Sequence, residues 1–156
     1  MAATKWVGSW STAPQLVETN NNPPAPGLTD NALRQIIKVS IGGDTLRLKF
    51  SNEYSTSPVT LESVSIAVSK GGGTIDVATS KDLTFGSKPD ATMQPGTIVY
   101  SDPVAFALTP RMELAITINF GQTSASVTGH PGSRTTSYLL TGFSTPSSDF
   151  TKAVRT

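Results

Sequence analysis

The chain has no cysteine, which removes disulfide frameworks, thiol nucleophiles and cysteine-type zinc sites together. It has one histidine, His130, so a poly-histidine metal site cannot be built; no metal and no cofactor is expected. Charged residues make up 15% of the 156 and the net charge is +1, against a usual quarter for charge. No broad basic field exists to attract nucleic acid or an anionic membrane, and neither partner is expected. No apolar run approaches the ~18 residues of a membrane helix. No segment sustains the 3.6-residue period of an amphipathic helix, which argues against a helical bundle and against a βαβ fold. The opening Met-Ala-Ala-Thr-Lys-Trp lacks the apolar stretch of a secretory signal. A cytoplasmic protein would start this way, and so would a chain that begins just after a removed signal. Low charge, many hydroxyls and absent cysteine suit the second, so an extracellular or periplasmic location is the expectation.

What the chain does contain favours strands and turns. There are 19 Ser, 22 Thr, 13 Gly and 11 Pro, and Thr, Val and Ile fit a pleated surface better than a helix. Period-two alternation recurs along most of the sequence. Trp6 to Thr12 is a first candidate strand, and the Asn/Pro-rich segment 18–28 is a loop. Leu33, Gln35, Ile37, Val39 and Ile41 alternate with Arg34, Ile36, Lys38 and Ser40, and Leu46, Leu48 and Phe50 follow after Gly42-Gly43. That pattern predicts an antiparallel hairpin with a primed turn at the two glycines. Its second face, carrying Arg34, Lys38, Arg47 and Lys49, is expected to be solvated. Further strands are predicted at Val64–Val68, Leu83–Phe85, Ile98–Tyr100, Val104–Leu108, Leu114–Phe120 and Ser137–Thr141. The fold class is therefore all-β: an antiparallel, jelly-roll-like sandwich of eight or nine short strands. It forms one domain over residues 1–144, with 145–156 a linker or frayed tail.

Few residues can carry chemistry. Acyl transfer needs a nucleophile, a base in hydrogen-bond reach and oxyanion donors. The base would have to be His130, in Gly129-His130-Pro131-Gly132-Ser133-Arg134, where Pro131-Gly132 fits the centre of a type II turn. His130 and Arg134 either decorate that exposed loop, or face a ligand or another domain, or, least favoured, act in catalysis. No Gly-x-Ser-x-Gly elbow occurs, and Gly43-Asp44-Thr45 falls in a turn, so no catalytic residue is assigned. Asn52-Glu53-Tyr54 follows the Leu46–Phe50 run and combines hydrogen-bonding groups with a ring able to stack on a sugar; a strand-end turn with an Asn cap explains it equally. Trp6 and Trp10 share one strand face, as a sugar platform or as core. The scattered Asp residues match no calcium loop, and Gly71-Gly72-Gly73 lacks the residues of a phosphate loop.

Several of these segments together resemble a known family. Trp6-Val7-Gly8-Ser9-Trp10-Ser11-Thr12-Ala13-Pro14, Leu33-Arg34-Gln35 with Ser40-Ile41-Gly42-Gly43, Phe50-Ser51-Asn52-Glu53-Tyr54 and Gly129–Tyr138 are similar to the opening of secreted bacterial SGNH/GDSL-type esterases. The resemblance spans nearly the whole chain and departs at Ser55, where the family pattern has Gly. It implies an N-terminal β-sandwich, like a carbohydrate-binding jelly roll, followed by an SGNH hydrolase domain that carries the Gly-Asp-Ser and Asp-x-x-His blocks. None of those blocks is in this sequence. The implied role is a non-catalytic accessory domain of an esterase acting on acylated carbohydrate, partnered by the hydrolase domain and a polysaccharide. A free-standing carbohydrate-binding module is the alternative, and an esterase using His130 a minority reading. Residues expected to meet a ligand or the hydrolase domain are Trp10, Asn52, Glu53, Tyr54, His130 and Arg134.

Overall fold

The alternating run from Leu114 to Phe120 lies at the centre of the protein, bonded to a strand on each side. The computed structural model describes residues 5–156, and thirteen strands occur among them. In chain order they are β1 (Gln15–Leu16), β2 (Ala32–Lys38), β3 (Gly43–Leu46), β4 (Lys49–Ser51), β5 (Val59–Gly71) and β6 (Thr74–Asp82). They continue as β7 (Ala91–Met93), β8 (Ile98–Tyr100), β9 (Val104–Leu108), β10 (Glu113–Phe120), β11 (Thr128–Gly129), β12 (Ser137–Leu140) and β13 (Val154–Arg155). The main sheet is antiparallel, in the order β13-β12-β2-β10-β5-β6, with β7 also paired to β5. Three two-stranded ribbons, β1–β11, β3–β9 and β4–β8, complete the set.

Register explains the core. Ile37, Leu114 and Val68 are aligned across β2, β10 and β5, and so are Leu33, Ile118 and Val64. Period two sends all of them to one face. There they pack against Leu46, Phe106, Leu48 and Phe50 from the β3–β9 and β4–β8 ribbons, so the core lies between sheet and ribbons. The architecture is thus all-β and sandwich-like, as the composition and alternation predict.

The hairpin predicted at Gly42-Gly43 does not form. β2 pairs with β10 and β12, β3 pairs with β9, and β4 pairs with β8. Neither glycine adopts positive φ, so no primed turn joins the runs. Gly42 serves close approach instead: a Cβ there would stand 2.5 Å from the Leu108 carbonyl oxygen. Trp6–Thr12 is not a strand, and Leu83–Phe85 contributes only a single bridge, Phe85 to Lys88. Five elements, β1, β6, β7, β11 and β13, lie outside the predicted strands, so the eight or nine expected become thirteen. β6 is a bulged edge with little apolar content, in which Thr79 Oγ1 caps the Asp76 carbonyl and accepts from Val68 N.

Of the four cations expected on a solvated face, Lys38, Arg47 and Lys49 are exposed and Arg34 is not. Arg34 is 1% exposed. Its Nε donates to Thr117 Oγ1 at 2.8 Å, a second guanidinium nitrogen donates to the Gly73 carbonyl, and its Cζ lies 3.7 Å from the Phe150 ring centroid. No carboxylate pairs with it among the described residues. Burial pushes its pKa down to about 10, and the aromatic face stands in for the missing anion. Lys38, one turn of the pleat away on the same face, is exposed and lies 3.8 Å from Glu113.

The segment 145–156, expected as a linker or frayed end, folds onto this face. Phe150 is buried with Ala32 and Tyr138, and β13 pairs with β12. Just before it, the Asn119 side chain donates to Ser144 O and accepts from Ser144 N. One apolar anchor and a buried amide suffice to seat a polar stretch. Arg34→Ala should therefore cost about 2–4 kcal/mol, because it empties the space under Phe150 and strands two polar partners. Arg34→Met, which keeps the volume, should cost less than half of that. Urea denaturation of both variants checks the difference; equal costs would contradict it.

Candidate binding cleft

The short β1–β11 ribbon pairs Gln15 with Gly129 and Leu16 with Thr128. A Cβ at Gly129 would stand 2.6 Å from Val17 Cγ2, so a glycine lets the two segments close. His130 follows at once, and its ring meets Trp10 edge-on, with centroids 5.9 Å apart and planes at 69°. Trp10 is held from its neighbour: Ser9 O accepts from Ser40 N at 2.8 Å and Ser9 Oγ donates to Ile41 O at 2.7 Å. These bonds replace the strand pairing expected for Trp6–Thr12.

Beyond His130 the chain turns. Gly132 has φ +78°, as the third residue of a type II turn requires. Arg134 has φ +54°, a left-handed conformation uncommon outside glycine, and its side chain is exposed. His130 Nδ1 is buried without a hydrogen-bond partner. An unpaired buried polar atom costs about 1–3 kcal/mol.

The 52–55 loop reaches the same end of the molecule. Tyr54 N donates to Thr128 Oγ1 at 2.9 Å, and Ser55 Oγ lies 3.3 Å from the same hydroxyl. Ser55, the departure from the family pattern, is buried and helps tie the two loops together. Asn52 is different: it is 1% exposed, and its amide donates to Ser57 O at 3.1 Å and Met93 O at 3.0 Å. Its peptide N–H also bonds Thr97 O. Asn52 shapes the loop and has no surface to offer a ligand, which corrects the expectation for it. Glu53 is exposed and accepts from Ser51 Oγ at 2.8 Å.

Trp10, Glu53, Ser55, His130 and Arg134 line one cleft of about 1420 Å³. Tyr54 is half exposed but lies outside that lining. The cleft floor is the inner face of the main sheet, with Leu33, Gln35, Ile37, Ile116 and Leu139, and Leu46, Leu48 and Phe50 of the ribbon side line it as well. Gln35 Nε2 donates to Ser137 Oγ at 3.3 Å, a polar stripe across an apolar floor. Neither residue was singled out from sequence. The signal was there, since Gln35 interrupts the apolar phase of its strand between Leu33 and Ile37. Gly43-Asp44-Thr45 lies in β3, away from any strand-to-helix turn.

Against known proteins, the chain matches no family model and no curated sequence. The geometry must speak for itself. An aromatic edge, a carboxylate, an amide and a cation around an apolar floor can hold a ring-bearing polar ligand. A loop-shaping role for Asn52 predicts that Asn52→Ala lowers stability by about 2–3 kcal/mol, since two buried carbonyls lose their donor. Tyr54→Ala should change it by no more than about 0.5 kcal/mol. Thermal unfolding of the two variants side by side checks this, and a large loss in Tyr54→Ala with none in Asn52→Ala would reverse the assignment.

Proposed function

We propose that this chain is a non-catalytic β-sandwich domain serving an SGNH/GDSL-type esterase, and that its cleft holds acylated carbohydrate. The carrying observation is convergence: Trp10, the 52–55 loop and the 129–134 turn, distant in sequence and all within the segments that resemble the family, border one cleft. In this reading Trp10 packs on a sugar face, Glu53 and Gln35 bond hydroxyls, and the apolar floor receives the acyl group. The setting is extracellular or periplasmic, where polysaccharide is met.

The same apolar floor supports a second reading, in which the hydrolase domain itself seats in the cleft. A free-standing carbohydrate-binding module would use the cleft as the first reading does, without a hydrolase. For a hydrolytic role of its own, a hydroxyl should bond the His130 ring; among the described residues no side-chain hydrogen bond involves it.

Calorimetric titration with acetylated xylo-oligosaccharides, in parallel with association assays against an added SGNH hydrolase domain, separates these readings. Trp10→Ala and His130→Ala should each weaken oligosaccharide binding about tenfold or more, a loss of roughly 1.4 kcal/mol. Intact glycan binding with lost association in His130→Ala and Arg134→Ala would move the cleft to the domain interface. Ester hydrolysis by the chain alone that disappears in His130→Ala would favour the enzyme. Absence of both glycan binding and association would overturn the proposal.

A further inference from the structure

Another part of the cleft wall, on β4, β8 and the segment before Trp10, alternates rings and cations. The Arg47 guanidinium lies between two aromatic faces, 4.5 Å from the Trp6 ring centroid and 4.9 Å from that of Tyr100. Lys49 is directly opposite Tyr100 in the β4–β8 ribbon, with its Nζ 5.9 Å from the same ring. The order along the strip is Trp6, Arg47, Tyr100, Lys49. The rings are 41% and 47% exposed, enough to leave contact area beyond what Arg47 covers, and both cations are exposed.

The cations are not consumed by the fold. The ion pairs among the described residues join Lys38 to Glu113 and Lys70 to Asp76, and no side-chain hydrogen bond of Arg47 or Lys49 accompanies the stacking. Packing between two rings restrains a guanidinium plane, and Arg47 remains exposed to solvent. A planar, fixed fork of donors is matched by a carboxylate, which it can bind through two parallel hydrogen bonds. The rings beside it offer flat apolar faces of the kind that pack on the C–H faces of pyranoses.

We propose that the Trp6–Arg47–Tyr100–Lys49 strip binds a uronate-containing polysaccharide, its carboxylates on Arg47 and Lys49 and its sugar rings on Trp6 and Tyr100. Charge complementarity selects that occupant. A neutral glycan leaves both cations without partners, and a net charge of +1 gives nucleic acid no wider field. The inference rests on the carbohydrate reading of the domain, and adds to it a preference for acidic chains along the part of the cleft wall that Arg47 and Lys49 line.

Alginate oligosaccharides and their carboxyl-reduced, neutral counterparts are the probes, with acetylated xylo-oligosaccharides titrated alongside. Wild type should bind alginate in a salt-sensitive manner and bind the reduced oligomers about tenfold more weakly. Arg47→Gln should weaken alginate binding about tenfold, and Lys49→Gln, which leaves the ring–guanidinium stack intact, about threefold. Both variants should keep the wild-type melting temperature, which shows that they are folded. Equal affinity for charged and reduced oligomers would overturn the proposal, and so would alginate binding unchanged in both variants. Binding of acetylated xylo-oligosaccharides without alginate would overturn the strip and leave the cleft standing; failure of every glycan would remove both.

Discussion

The main sheet has two faces to cover, and the ways in which they are covered determine most of what the molecule is. On the outer face a lone guanidinium, Arg34, lies buried against Phe150, Thr117 and the Gly73 carbonyl. Burying a cation without an anion is costly, and it is tolerable here only because ring, hydroxyl and carbonyl all stay in place. That requirement fixes the 144–156 segment on the sheet and joins the β5–β6 turn to it. Beside it Ala67 and Ala115 pack with Ile75 and Ile36.

The inner face is covered less completely. β3–β9 and β4–β8 close over one part of it, and Leu46, Phe50 and Phe106 fill the space beneath. Toward β12 the cover is only the 6–17 segment and the 124–135 loops, and the space between stays open as the cleft. Short ribbons, loop-to-loop bonds through Thr128 and the Ser9–Ser40 contacts hold its rim. A rim of hydrogen-bonded loops over a rigid apolar floor is the usual division of labour at a binding site: the sheet sets the geometry and the loops set the chemistry.

Much of the sheet was legible in the sequence. Leu114–Phe120 and Val64–Val68 alternate strictly, Leu33–Ile37 does so apart from Gln35 and Ile36, and they become the three central strands because alternation and burial of one face are the same fact. Pairing was not legible. Gly42-Gly43 reads as a turn, but Gly42 answers a steric demand from Leu108, set by a strand sixty residues on. Arg34 sits in the polar phase of β2, and nothing local shows that Phe150, over a hundred residues later, will cover it. The candidate site was half legible: Trp10, His130 and Arg134 stand where a turn and two rings suggest. Asn52 looked like a ligand residue and is a loop staple, a distinction that depends on two distant carbonyls. Gln35 and Ser137 escaped notice because a polar residue in an apolar phase is informative only once a cavity lies above it.

Mapping by two-dimensional ¹H–¹⁵N NMR, with acetylated xylo-oligosaccharide titrated into the uniformly labelled protein, bears most directly on the cleft. Shifts concentrated at the Trp10 indole N–H, the Gln35 side-chain amide, Glu53 and the Gly129–Arg134 backbone are the expected result. Shifts scattered over the outer face around Phe150, or none at saturating oligosaccharide, would contradict a carbohydrate-holding cleft.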